Sequence, residues 1–205
     1  MTEADRPQIY LISPPEIDLS AFPDRLARVL DTVETACVRL ALSSTDPDVI
    51  GRAADALREV THARDIAIVI ERHAMLADRH GLDGVHLTDG SRSVRTTRKE
   101  LGADAIVGAF CGTSRHDGLT AGEASADYVS FGPAGLTPLG DGTHADAELF
   151  AWWSEMIEVP VVAEGALEST WVGAGLSHHV FGIGQEIWTA EDPAAAVAAL
   201  SAAMG

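Results

Sequence analysis

Short β-type runs alternate with longer helical runs along almost the whole chain, and this alternation most constrains the fold. The first apolar run, 9–12, is closed by Ser13-Pro14-Pro15. A helical pattern follows over 22–34, with Leu26, Val29, Leu30 and Val33 at the spacing of one buried helix face. Further strand-like runs are expected at 36–42, 66–70, 84–87, 105–109, 128–131, 160–163 and 179–182. Helical stretches are expected between them, including one opened by Asp46 as N-cap with Pro47 in the first turn, one near 121–125 and a short one near 169–173. The last helix is expected over 186–203. The strands lack the in–out alternation of a half-exposed sheet, as strands buried on both faces should. Eight such units of about 25 residues predict a compact, single-domain (β/α)8 TIM barrel over 1–205. An open doubly wound sheet is the alternative. A barrel places function in the loops that follow the strands.

Charge narrows the partners. Fourteen basic residues face 31 acidic ones, a net charge of −17, and Lys99 is the only lysine. So acidic a surface repels polyphosphate backbones and anionic headgroups, which excludes nucleic acid and membranes as expected partners. No apolar run approaches the roughly 18 residues of a membrane span. Cys37 and Cys111 lack zinc-ligand spacing, and the polar stretch 1–8 has no signal-peptide apolar region. A cytoplasmic protein with two free thiols is expected. Trp152-Trp153 should place one ring in the core and offer the other to an interface, so a homodimer is one expectation. The basic group Arg92, Arg95, Arg98 and Lys99 reads as a solvated helix face, Gly81 as a helix stop, and Cys111 as a small buried hydrophobe.

Several segments, in order and spacing, carry a resemblance. They are Ile9-Tyr10-Leu11-Ile12, Leu82-Asp83-Gly84-Val85-His86-Leu87, Ile106-Val107-Gly108, Ala126-Asp127-Tyr128-Val129-Ser130-Phe131-Gly132-Pro133, and Val159-Pro160-Val161-Val162-Ala163. Together they resemble the thiamine-phosphate synthase and thiazole tautomerase superfamily, whose fold is a small (β/α)8 barrel. The resemblance implies a role in thiamine biosynthesis. The family reaction joins a pyrimidine carbinol diphosphate to a thiazole phosphate and releases pyrophosphate. Mg2+ and cationic side chains would take up the leaving group's charge, and backbone N–H groups of glycine-rich turns would hold the thiazole phosphate.

Mapped residue by residue, the resemblance makes Arg39, Gly132, Pro133, Gly165, Gly182, Gly184 and Gln185 candidates for binding a small phosphorylated molecule. His86, Glu164 and Thr137 become catalytic candidates, and Glu71 and Asp89 metal candidates. The departures lie in the charged groups. Arg39 occupies a glutamine position, while Ala41, Ser43 and Gly140 replace basic residues. Glu164-Gly165-Ala166 replaces a Gly-Gly-Ile phosphate loop, and Gly182-Ile183-Gly184-Gln185 is expected to keep free backbone N–H groups. These replacements weigh against full synthase activity. Two alternatives stand beside the family reading. One is a non-catalytic barrel that binds a ligand or partner protein. The other is a divergent enzyme with a carboxylate/His site built from Glu71, His86, Asp89 and Glu164.

Overall fold

Strand pairing decides between the two predicted architectures. A computed structural model describes residues 8–135, 143–165 and 180–204. Its strands are β1 (Gln8–Ile12), β2 (Thr35–Leu40), β3 (Ala67–Glu71), β4 (Gly84–Leu87), β5 (Ile106–Phe110), β6 (Tyr128–Phe131), β7 (Val161–Glu164) and β8 (Val180–Ile183). Each is parallel to the next, and β8 pairs with β1, so the sheet closes into a barrel. The chain is a single-domain (β/α)8 TIM barrel.

The described helices are α1 (Phe22–Leu30), α2 (Pro47–His62), α3 (Ala74–His80), α4 (Val94–Leu101), α5 (Arg115–Glu123), α6 (Ala147–Met156), α7 (Gln185–Trp188) and α8 (Pro193–Met204). Side-chain caps start three of them by satisfying first-turn N–H groups. Asp46 accepts from Asp48 N at 2.9 Å, Ser114 from Asp117 N at 3.1 Å, and Asp146 from Leu149 N at 2.8 Å. Gly81 ends α3 at φ 63°, a left-handed conformation that costs glycine nothing.

Two expected boundaries shift. The helix expected near 121–125 begins at Arg115, because the Ser114 cap and the close seat of Gly118 replace an apolar period. A Cβ at Gly118 would lie 2.7 Å from both the Phe131 and Trp153 rings. The helix expected over 186–203 divides into α7 and α8, with Asp192-Pro193 at the break. There Asp192 Oδ1 accepts from Ala194 N and Ala195 N.

Period-2 alternation sends one set of strand residues outward against the helices. Leu11, Val38, Leu40, Ile68, Ile70, Val85, Val107, Val129, Phe131 and Phe181 are all buried there. Full burial of each large apolar side chain contributes roughly 1.5–3 kcal/mol. The inward set includes Tyr10, Cys37, Val69, Tyr128 and Val162.

The pairing register sorts the inward set into layers. Advancing one residue at each strand crossing from Tyr10 passes Val69, Gly108 and Val162 and returns to Tyr10 after one circuit. The next layer comes from the even strands: Arg39, His86, Ser130 and Gly182. Above it, at the C-terminal ends of the odd strands, stand Ile12, Glu71, Phe110 and Glu164. Alternate strands filling alternate layers is the packing rule of this barrel.

The opposite end of the barrel is latched twice in the same way. Asp83 N donates to Ile68 O, and Asp83 Oδ2 accepts from Ile68 N at 2.7 Å. Asp127 repeats this with Val107, again at 2.7 Å to the N–H. The aspartates in the two motif-like segments thus fasten the strand starts. Arg98 departs from the expected solvated face, since it donates to Ser125 O, Gly102 O and Ala105 O and pairs with Asp127. Among the described residues no helix is long and apolar enough to cross a membrane.

Candidate active site

The mouth formed by the C-terminal ends of the strands opens into a cavity of about 610 Å3. Its wall combines Ile12, Phe110, Pro15 and Pro133 with the charged side chains of Arg39, Glu71, Glu164 and Glu186. Gly165, Gly182, Gly184 and Gln185 also border it. Six of the candidate binding residues therefore share one wall with Glu71 and Glu164: Arg39, Pro133, Gly165, Gly182, Gly184 and Gln185. Gly132 follows β6 and is not among the lining residues. The Gly132 N–H donates to Gly112 O, and a Cβ there would come within 2.4 Å of Glu164 O, so the close approach of β6 to β7 requires glycine.

Arg39 is the centre of charge. Its side chain is 7% exposed, and Nη1 donates to Glu164 Oε2 at 2.9 Å while Nε stands 3.7 Å from Glu71 Oε2. Glu71 also meets Arg72 Nη2 at 3.1 Å. Burial opposes the charge on Arg39, but Glu164, the neighbouring tyrosines and Glu71 more than offset it, so the guanidinium stays protonated. Burial raises the Glu164 carboxyl above its ordinary range, Arg39 pulls it back, and Glu71 adds to the rise. Glu164 therefore holds a proton more readily than a solvated glutamate.

The expected free N–H groups after β8 are corrected in part. Gly184 N donates to Glu186 Oε2 at 2.8 Å, so the chain's own carboxylate takes that donor. Glu186 was not foreseen; a glutamate two residues beyond a glycine at a strand end is the signal that could have pointed to it.

His86 stands one layer below the mouth and is fully buried. Its Nδ1 is 2.9 Å from Tyr128 Oη, which is 2.6 Å from Tyr10 Oη. Burial, and then the charge of Arg39, push the imidazole well below its usual range, so it is neutral at pH 7. Tyr10 and Tyr128 were missed as partners of His86. Two tyrosines within apolar strand segments were the available sign, since a buried phenol needs a hydrogen-bond partner.

Asp89 lies elsewhere. It lines a second cavity with Thr88, Arg92, Cys111 and Asp117, and it accepts from Ser93 Oγ at 2.5 Å. Phe110 borders both cavities. Glu71, the other metal candidate, is engaged by two guanidinium groups. Among the described residues no group of three His, Cys, Asp or Glu side chains is placed to hold a metal. The described residues thus build no metal site of their own, and Glu71, drawn to two guanidinium groups, offers no free carboxylate to Mg2+. Thr137 lies outside the described residues, as do Gly140, the helix expected near 169–173 and His178-His179.

Cys111 is 3% exposed, and burial pushes its thiol up to about 12, matching a packed hydrophobe. Trp153 is buried, and its Nε1 donates to Val159 O at 2.7 Å. Trp152 is partly buried beneath Arg115, whose guanidinium carbon sits 4.9 Å from the ring centroid.

Comparison with known proteins matches residues 9–184 to the model of a family described as thiamine monophosphate synthase. A thiamine-phosphate synthase from Rhodospirillum centenum is 44% identical over 163 residues, covering 78% of each chain. One from Hyphomonas neptunium is 36% identical over 208 residues, covering 96% of this chain and 93% of its own. A solved thiamine phosphate pyrophosphorylase from Pyrococcus furiosus superposes with a TM-score of 0.83 at 18% identity, covering 98% of this chain and 96% of its own, a likeness of fold.

Proposed function

The chain belongs to the thiamine monophosphate synthase family, and on that premise we propose that it serves thiamine biosynthesis by binding a phosphorylated thiazole, or a closely related small phosphate, at the barrel mouth. The observation that carries this reading is the seat of Arg39. A buried, permanently charged guanidinium borders a cavity of about 610 Å3, ample room for a small phosphorylated heterocycle. Ile12, Phe110 and the two prolines offer apolar surface for a ring. Gly165, Gly182 and Gly184 let backbone come close to a ligand.

Charge supports binding over departure of a diphosphate. The described wall sets one cation, Arg39, against Glu71, Glu164 and Glu186. A leaving pyrophosphate needs positive charge aimed at it, whereas binding a monoester needs less. A second reading, complete thiamine phosphate synthesis, is favoured by the names of the relatives at 44% and 36% identity.

Two assays separate these readings. The first is thermal stability with thiazole phosphate well above its Kd, where mass action raises the melting temperature. The second is turnover of both family substrates with Mg2+. Stabilisation without turnover supports the proposal. Robust product formation replaces it with the second reading. No response in either assay points to a partner-binding barrel and overturns both.

A further inference from the structure

The barrel layer beneath the mouth collects buried polar atoms that have no hydrogen-bond partner. Among the described residues these are Arg39 Nε, His86 Nε2 and Ser130 Oγ, together with Arg58 Nε elsewhere. Three of the four therefore fall in the layer of Arg39, His86, Ser130 and Gly182. Buried polar atoms are normally paired, so such a concentration calls for a reason.

The tyrosine chain supplies one. Among the described residues Tyr10 Oη bonds only to Tyr128 Oη, and Tyr128 Oη also bonds to His86 Nδ1. Hydrogens can run along this chain in two directions, and a third arrangement, in which Tyr128 accepts from both neighbours, strands the Tyr128 hydrogen and the His86 Nε2 lone pair together. If His86 Nδ1–H donates to Tyr128 and Tyr128 donates to Tyr10, the Tyr10 hydrogen has no acceptor. His86 Nε2 is then a lone pair with no donor, so two buried groups go unsatisfied. If Tyr10 donates to Tyr128 and Tyr128 donates to His86 Nδ1, every phenol hydrogen is used. Only one group is left over, His86 Nε2–H.

We infer that the chain runs from Tyr10 through Tyr128 to His86, fixing the imidazole as its Nε2–H tautomer and making His86 a hydrogen-bond donor in the layer that floors the cavity. Ser130, in the same layer, carries a second donor, its hydroxyl, while Arg39 Nε faces Glu71 at 3.7 Å. The layer thus holds the His86 and Ser130 donors fully buried beneath the cavity that Arg39 and Gly182 border, and His86 acts there as a positioning donor rather than as a group that exchanges protons. Gly108 makes the arrangement possible. Its missing side chain lets the Tyr128 ring cross β5, since a Cβ there would be 2.0 Å from Tyr128 Cζ and 2.3 Å from Oη. The inference holds whichever ligand occupies the mouth.

Nitrogen-15 NMR of the histidine-labelled full-length protein tests it. The His86 resonance is assigned through the Tyr128 ring, which stacks on it at 5.7 Å between centroids. The expected spectrum shows a protonated Nε2 and an unprotonated, hydrogen-bonded Nδ1, unchanged from about pH 5.5 to pH 8. An Nδ1–H tautomer, or titration inside that range, overturns the inference using wild-type protein alone. Tyr10→Phe gives an independent check of direction. It should leave the tautomer unchanged, because Tyr128 still donates to His86. In the reverse direction it would strand the Tyr128 hydrogen and convert His86 to the other tautomer, and that conversion would overturn the inference.

Discussion

Arg39 Nη1 donates to Glu164 Oε2 at 2.9 Å, joining β2 to β7 within the mouth of the barrel. The same guanidinium stands 3.7 Å from Glu71 on β3, so one side chain holds two carboxylates from different strands. Its removal would leave both acids without a cation in a poorly solvated place. Losing one partner of a buried ion pair costs about 3–5 kcal/mol. Arg39→Met is therefore expected to lower unfolding free energy by that order in urea titration. Arg39→Met combined with Glu164→Leu should recover part of the loss, because the second change removes a stranded charge.

Glu164 sets one pH dependence and His86 an opposing one. The folded-state pKa of Glu164 is raised, chiefly by burial. Its contribution is present below the unfolded value, near 4.5, and is lost as pH rises through the folded value. The folded-state pKa of His86 is lowered, chiefly by burial. Its contribution is present above the unfolded value, near 6.5, and is lost as pH falls toward the folded one. Glu164→Gln should thus gain stability relative to wild type between pH 4.5 and pH 7. His86→Gln should lose relative to wild type over the interval from about pH 5 to pH 7. Urea midpoints at the two ends of each window measure both slopes.

Gly108→Ala should disturb the barrel interior more than its single methyl suggests. The new Cβ would sit 2.0 Å from Tyr128 Cζ, a distance at which the ring must move. Overpacking of this kind costs about 1–3 kcal/mol, and the Tyr128–His86 bond would break as well. The expected result is a clear fall in melting temperature with displaced Tyr128 resonances. An unchanged melt would mean that the ring has room to move that the packing does not show.

How much of this was legible beforehand follows from the range of each interaction. The barrel was readable because period and length are local properties, and the apolar runs around Ile68 and Val107 carry them openly. The division between α7 and α8 was missed because the Ala-rich stretch reads as one helix, although Asp192-Pro193 is itself a helix start. Glu164 stood out because it interrupts a glycine-rich loop, and Arg39 because it is a charge in an apolar strand. Their pairing was not legible, since it joins positions 125 residues apart through the barrel register. The gathering of Arg39, His86 and Ser130 into one layer was hidden for the same reason. It depends on the one-residue stagger at every strand crossing.

The two thiols should be silent in the native protein. Cys37 is buried in the barrel interior, and Cys111 is packed behind β5 with Sγ 3.6 Å from Ala109 O. Burial pushes both to about 12, so the reactive thiolate is scarce at pH 8. A chromogenic disulfide reagent should modify neither in native buffer and both after denaturation.

Glu186 offers a change that tests the charge of the mouth without touching Arg39. Its carboxylate holds Gly184 N–H at 2.8 Å and adds a negative charge to the cavity wall. Glu186→Gln keeps a side chain of the same size and an oxygen able to accept that N–H. The variant differs from wild type mainly by one negative charge near the place proposed for a phosphate. Removing one nearby like charge is worth on the order of 1 kcal/mol, about fivefold in affinity. Calorimetric titration with thiazole phosphate should show tighter binding to Glu186→Gln, and the gain should shrink as salt is raised, since screening weakens the repulsion that the substitution relieves. Weaker binding would mean that the carboxylate contacts the ligand directly, and the phosphate would then have to lie elsewhere in the mouth.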